Sequence, residues 1–155
     1  MLMKALAYPG LSVILPLLLP VEGWAWEKDE QEMAGYAARD FVQALHDGSL
    51  EQVLELCAQP FNFNGRELSS AELRLEWERF FYRNRAARAA LLQARMEIID
   101  YHQVVKIFGP PPEKFKKVSL PSSLFAVVRL PNRAGFMLIL TRTPSRKWLV
   151  TGVAE

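Results

Sequence analysis

The sequence predicts an α+β fold, and three observations carry that expectation. Apolar residues recur at helical spacing through the first half of the chain, and the period shortens to two from Leu92. Three strand-like apolar runs then follow, separated at hairpin distance. Helices first and an antiparallel meander last make an α+β arrangement. No strand–helix–strand repeat is present, so a doubly wound parallel sheet is not expected.

Each element has its own signal. Asp29 with Glu32 forms a capping box, which predicts a helix start. Met33, Ala37, Phe41 and Leu45, flanked by Tyr36 and Ala44, carry that helix to His46, and Gly48 predicts its stop. Ser49 with Gln52 opens a second, short helix holding Leu50, Val53, Leu54 and Cys57, with Pro60 as its terminator. Phe61-Asn62-Phe63 reads as an extended piece entering an Asn64-Gly65 turn. Ser69 with Glu72 opens a third helix, striped by Leu73, Trp77, Phe80 and Phe81. Leu92, Ala94, Met96 and Ile98 alternate with polar residues as in a half-buried strand. Asp100 with Gln103 caps a brief helix that Gly109 and Pro110-Pro111-Pro112 end. The closing strands are expected over residues 124–130, 136–142 and 148–153.

Residues 1–25 read as a separate segment. A basic start at Lys4 precedes 17 uncharged residues, 5–21, and small residues follow at Gly23 and Ala25. This pattern predicts a secretory signal peptide cleaved near Gly23 or Ala25, leaving residues 26–155 as a single exported domain, periplasmic or extracellular. An uncleaved membrane anchor is the alternative. The run is shorter than the roughly 20 residues that span a bilayer, and Pro9, Gly10, Pro16 and Pro20 interrupt it.

The 155 residues are 50% hydrophobic and 23% charged, with 19 Lys and Arg against 17 Asp and Glu. That balance argues against intrinsic disorder. A lone Cys57 excludes an intrachain disulfide and a cysteine-rich metal cage, and only His46 and His102 are available to a histidine-built centre. The chain has no P-loop, Gly-x-Gly-x-x-Gly run, His-Glu-x-x-His pair or Gly-x-Ser-x-Gly elbow. Neither a metal nor a cofactor is expected.

Three segments carry a family resemblance. Phe41-Val42-Gln43-Ala44-Leu45-His46-Asp47-Gly48-Ser49 with Val53 and Leu54 resembles the helix pair that opens nuclear-transport-factor-like and SnoaL-like domains. Pro60-Phe61-Asn62-Phe63-Asn64-Gly65 resembles their next segment, and Lys147-Trp148-Leu149-Val150-Thr151-Gly152-Val153 their closing strand. The resemblance covers roughly residues 30–154. It implies three N-terminal helices packed on a strongly curved antiparallel sheet, a cone whose wide end holds an apolar ligand, and pairing of two copies through the sheet. Such domains include isomerases, dehydratases, transport adaptors and many without chemistry, so the fold does not choose the function.

A site of the ketosteroid-isomerase kind, which the resemblance implies, needs a carboxylate base after the second helix. Asn62 and Asn64 stand there, and an amide abstracts no proton at neutral pH. No catalytic set is therefore assigned. Tyr36 as a pocket donor, Asp40 as a base and His102 as a base or ligand are the weak candidates. Asp100 beside Tyr101 and His102 is already explained by helix capping, His46 by the carbonyl end of its helix, and Cys57 by burial. The aromatic residues suggest a pocket more than a catalyst: Tyr36, Phe61, Phe63, Trp77 and Phe81 are the expected ligand-binding set.

Charge is uneven along the chain. Residues 27–55 carry eight acidic and two basic side chains, and residues 66–95 carry seven arginines against four glutamates. Arg74, Arg79, Arg83, Arg85, Arg88 and Arg95 do not fall on one helical face and glutamates lie among them, so nucleic acid is not the expected partner. An anionic membrane surface fits better. The leading expectation is an exported domain that binds a small apolar ligand or a protein partner without catalysis. The rivals are a cofactor-independent lyase or isomerase, and a structural role in an envelope assembly.

Overall fold

The computed structural model describes residues 19–155, with side chains from residue 28. The leader expected over residues 1–25 lies outside the described residues, except for a short stretch of helical backbone. The chain divides into two compact units, Met1–Glu30 and Gln31–Glu155, and the second holds the sheet and all the side-chain contacts described below. Among the described residues no helix is long and apolar enough to cross a membrane.

The first helix, α1 (Leu19–Asp47), is already under way at Asp29, so the start expected there is corrected. Its buried stripe is also turned from the expected one. Ala34, Ala38, Phe41 and Leu45 are buried, whereas Met33 is 56% and Tyr36 50% exposed. Small residues let the helix lie close to the sheet: a Cβ on Gly35 would already stand 3.5 Å from Ile98 Cγ1. Gly48, with φ of 70°, ends the helix.

The second helix, α2 (Leu50–Glu55), is only six residues long, and Ser49 precedes it without a side-chain cap bond. Cys57, expected on this helix, instead opens strand β1 (Cys57–Phe63). Strand pairing, rather than Pro60, ends the helix: Val150 N donates to Leu56 O at 2.8 Å just past its last turn. Asn64 and Gly65, both at positive φ, form the expected turn into β2 (Arg66–Leu68). Ser69 and Glu72 make the expected capping box at the start of α3 (Ser70–Arg83). Helix propensity wins over the next stretch, giving α4 (Arg85–Ala90) and a 3₁₀ turn at Leu91–Gln93, so the strand begins at Arg95 rather than Leu92. It is β3 (Arg95–Asp100), followed by α5 (Tyr101–Phe108) and the meander β4 (Leu124–Arg129), β5 (Gly135–Arg142) and β6 (Trp148–Ala154).

The protein is thus α+β, with helices on an open six-stranded sheet of order β2-β1-β6-β5-β4-β3. The sheet is mixed rather than wholly antiparallel, because β1 lies parallel to β6. No hairpin joins those two strands, so turn geometry does not dictate their sense. The main core lies on one face, where Ala38, Phe41, Leu73 and Trp77 meet Ala126, Val128, Leu138 and Val150.

Candidate functional site: an apolar cleft on the second face of the sheet

β4 is apolar on both sides. Leu124-Phe125-Ala126-Val127-Val128 is a continuous run, and a strand of that kind has both faces covered. Leu124, Ala126 and Val128 join the main core, whereas Phe125 and Val127 turn to the other face with Ile99, Met137, Ile139 and Ala154. α5 and the segment after it cover part of that face through Val104, Phe115 and Val118.

Short-range bonds set the cover in place. Asp100 Oδ1 accepts from Gln103 N at 2.8 Å while Asp100 N donates to Gln103 Oε1 at 2.9 Å, which fixes the start of α5. Gly109, at φ of 85°, and three prolines turn the chain back over the sheet. The buried Asn62 side chain donates to Lys114 O and accepts from Gly65 N, both at 2.8 Å. It thereby ties the covering segment to the β1–β2 turn. Ser123 Oγ donates to Val118 O and accepts from Leu120 N, both at 3.0 Å, which folds the next loop on itself.

Cover and sheet enclose a cleft of about 490 Å³. Val104, Phe108, Pro111 and Phe115 form one wall, and Val127 and Met137 the other. Phe125 and Ile139, nearly inaccessible to solvent, make the floor. Polar groups reach it from Ser119, Arg129, Arg133 and Glu155. No histidine borders it, and its one carboxylate side chain, Glu155, is drawn to Asn64 Nδ2 at 3.4 Å on the far side of β6. The cleft can accept an apolar body; it offers no converging acid and base.

The expected ligand-binding residues are elsewhere. Trp77 stands in the main core, 2% exposed, with ring centroids of Phe41, Phe61, Phe63 and Phe80 at 5.6, 6.2, 5.4 and 5.7 Å, all edge-on. Phe81 touches this group through Phe80 at 5.8 Å. Four of the five residues are thus brought together, as rings packed on one another. Trp77 Nε1 is buried with no conventional hydrogen-bond partner, and the Cys57 sulfur beside it offers only a weak one. Phe61 also borders a separate groove of about 360 Å³ with Pro60, Leu120 and Thr143. Tyr36 is apart, on the outer face of α1, where its hydroxyl donates to Glu32 Oε1 at 3.1 Å and Arg39 lies 4.9 Å over its ring.

The catalytic candidates do not converge. Asp40 is exposed on the same outer face as Tyr36, and His102 is exposed on α5 with its ring 6.3 Å from that of Tyr101. His46 turns to Asp47 Oδ1 at 3.0 Å, while Arg88 takes the role expected of it by reaching the carbonyl end of α1. Burial pushes the Cys57 thiol up to about 12, so it is no nucleophile at neutral pH. Among the described residues no cluster of His, Cys, Asp and Glu is placed to hold a metal ion.

Half of the arginines weighed for an anionic partner are engaged within the fold. Arg74 meets both Glu51 oxygens at 2.9 and 3.2 Å, Arg79 meets Glu76 at 3.1 Å, and Arg88 holds the His46 carbonyl. None of the expected site residues lines the cleft, although the unbroken apolar run in β4 is its signal: a second buried face needs a second cover. No family model, no curated protein and no solved structure matches the chain.

Proposed function

We propose that the chain binds a small apolar ligand, without catalysis, in the cleft between the α5–proline segment and the outer face of β4 and β5. The observation that carries this reading is the lining: about 490 Å³ walled by Val104, Phe108, Phe115, Val127 and Met137. Small-molecule sites are concave, largely apolar and roughly 300–1,000 Å³ in volume. The order of helices and strands supports placing the domain with the nuclear-transport-factor-like domains its motifs resemble. The uncharged run at residues 5–21 supports export, which fractionation of cells making the full chain tests directly.

Titration of the full chain with the neutral fluorophore N-phenyl-1-naphthylamine tests the cleft. Saturable enhancement is expected, and Val127→Trp, which fills the cleft from its half-buried wall, is expected to abolish it while leaving the unfolding midpoint within a few degrees. Enhancement that Val127→Trp leaves intact would place the apolar site elsewhere.

A further inference from the structure

The outer face of β4 and β5 changes character along its length. Phe125 and Ile139 pair at the buried end, Val127 and Met137 come next, and Arg129 opposite Gly135 closes the strip. The span from residue 125 to residue 129 is about 13 Å of strand. Arg133, in the β4–β5 turn, borders the same end of the cleft. On the other side of β4, Arg95 is the register partner of Arg129, and strand alternation puts it on the same face, since Met96 and Ile98 pack on the main core. Like charges directly opposite on neighbouring strands repel.

Among the described residues none of the three, Arg95, Arg129 and Arg133, makes an ion pair, whereas Arg66, Arg74, Arg79, Lys116 and Lys117 each have an acidic partner. Glu97, two register pairs along and on the same face, stands opposite Val127 and makes no ion pair with them, and Glu155 is drawn toward Asn64. An apolar trough therefore opens at one end onto two guanidinium groups without ion pairs, those of Arg129 and Arg133, with Arg95 beside Arg129 on the next strand.

We propose that the ligand is a single-chain amphiphile with a carboxylate head, its chain along Phe125, Val127 and Met137 and its head on Arg129 and Arg133, with Arg95 adding charge. This rests on the cleft being the apolar site. A guanidinium fork matches the two oxygens of a carboxylate, and the pairing is charge-assisted. A cleft of about 490 Å³ between α5, the prolines and the sheet has room for one chain, so the source assigned is the free monomer rather than a bilayer surface.

The test uses the full chain and two probes of equal length, decanoate below its micelle threshold and decanol, each displacing N-phenyl-1-naphthylamine. Decanoate is expected to bind about tenfold more tightly at low salt. In Arg129→Gln/Arg133→Gln the two are expected to bind equally, with decanol unchanged from the parent. Equal affinities in the parent, with both lost in Val127→Trp, would overturn the head-group assignment and leave the cleft standing. Displacement that Val127→Trp does not affect would overturn the cleft and the assignment with it. Binding to anionic phosphatidylglycerol vesicles without competition by decanoate would overturn the monomer as the source.

Discussion

Arg88 reaches back 42 residues to set Nη2 3.1 Å and Nε 3.3 Å from the carbonyl oxygen of His46, closing the C-terminal end of α1 with a side chain from α4. Its guanidinium also lies 5.4 Å over the Phe81 ring, so one residue joins α1, α3 and α4. The charge suits the negative end of the helix dipole. Gly48 beside it sits at φ of 70°, which favours glycine, and a Cβ there would also push the guanidinium aside.

Arg88→Ala is accordingly expected to lower stability by about 1.5–3 kcal/mol, the scale of a lost hydrogen bond to a charged group. Arg88→Lys recovers only part, since an ammonium cannot make the forked contact. Urea unfolding followed by circular dichroism measures both. An alanine variant as stable as the parent would show that the contact contributes nothing.

Asn62 is the second long-range tie. Asn62→Ala leaves the Gly65 amide and the Lys114 carbonyl without their bonds, at a cost of about 1–3 kcal/mol. Asn62→Asp keeps the acceptor for Gly65 but sets an oxygen against the Lys114 carbonyl, so an acid at this position is expected to be no better tolerated. Hydrogen exchange resolves the effect: protection is expected to fall first in residues 113–118, and uniform loss across the sheet would contradict a local tie.

The buried thiol makes a kinetic prediction. With its pKa raised to about 12 by burial, Cys57 at pH 8.5 has a thiolate fraction on the order of a thousandfold below that of a free cysteine. Iodoacetamide labelling of the folded protein is expected to be slow and to reach the ordinary rate in denaturant. Fast labelling without denaturant would show that β1 opens readily.

Acid sensitivity is expected at the α2–α3 contact. The hydrogen bonds and charge of Arg74 hold the Glu51 carboxyl below its ordinary value. A carboxyl lowered on folding stabilises the fold above its unfolded pKa, and that contribution is lost as pH falls through the lowered, folded value. Glu51→Gln should flatten the decline in melting temperature below pH 5, by little, because the pair is exposed. An unchanged profile would assign acid sensitivity to other carboxylates.

Elements defined by local chemistry were legible in the sequence. The capping boxes at Ser69 and Asp100, the Asn64-Gly65 turn and the three closing strands depend on residues within a few positions of one another. What the sequence hid is long-range. Cys57 leaves the helix because β6 pairs with the segment it opens, and no local signal announces a partner more than ninety residues away. The buried stripe of α1 follows closeness rather than bulk: Met33 and Tyr36 are large and exposed, whereas Ala34 and Ala38 meet the core. Bulk misleads at Trp77 as well: it and its aromatic neighbours fill the interior rather than line a pocket.

The parallel pairing of β1 with β6 also orders events during synthesis. The β1–β2 hairpin emerges from the ribosome early, but the strand that joins it to the sheet is the latest in sequence. Until β6 is made, the hairpin has no sheet to join, and β5 presents a bare edge that another chain could occupy. A chain cut before residue 148 would keep the β1–β2 hairpin without its place in the sheet and β5 with an open edge.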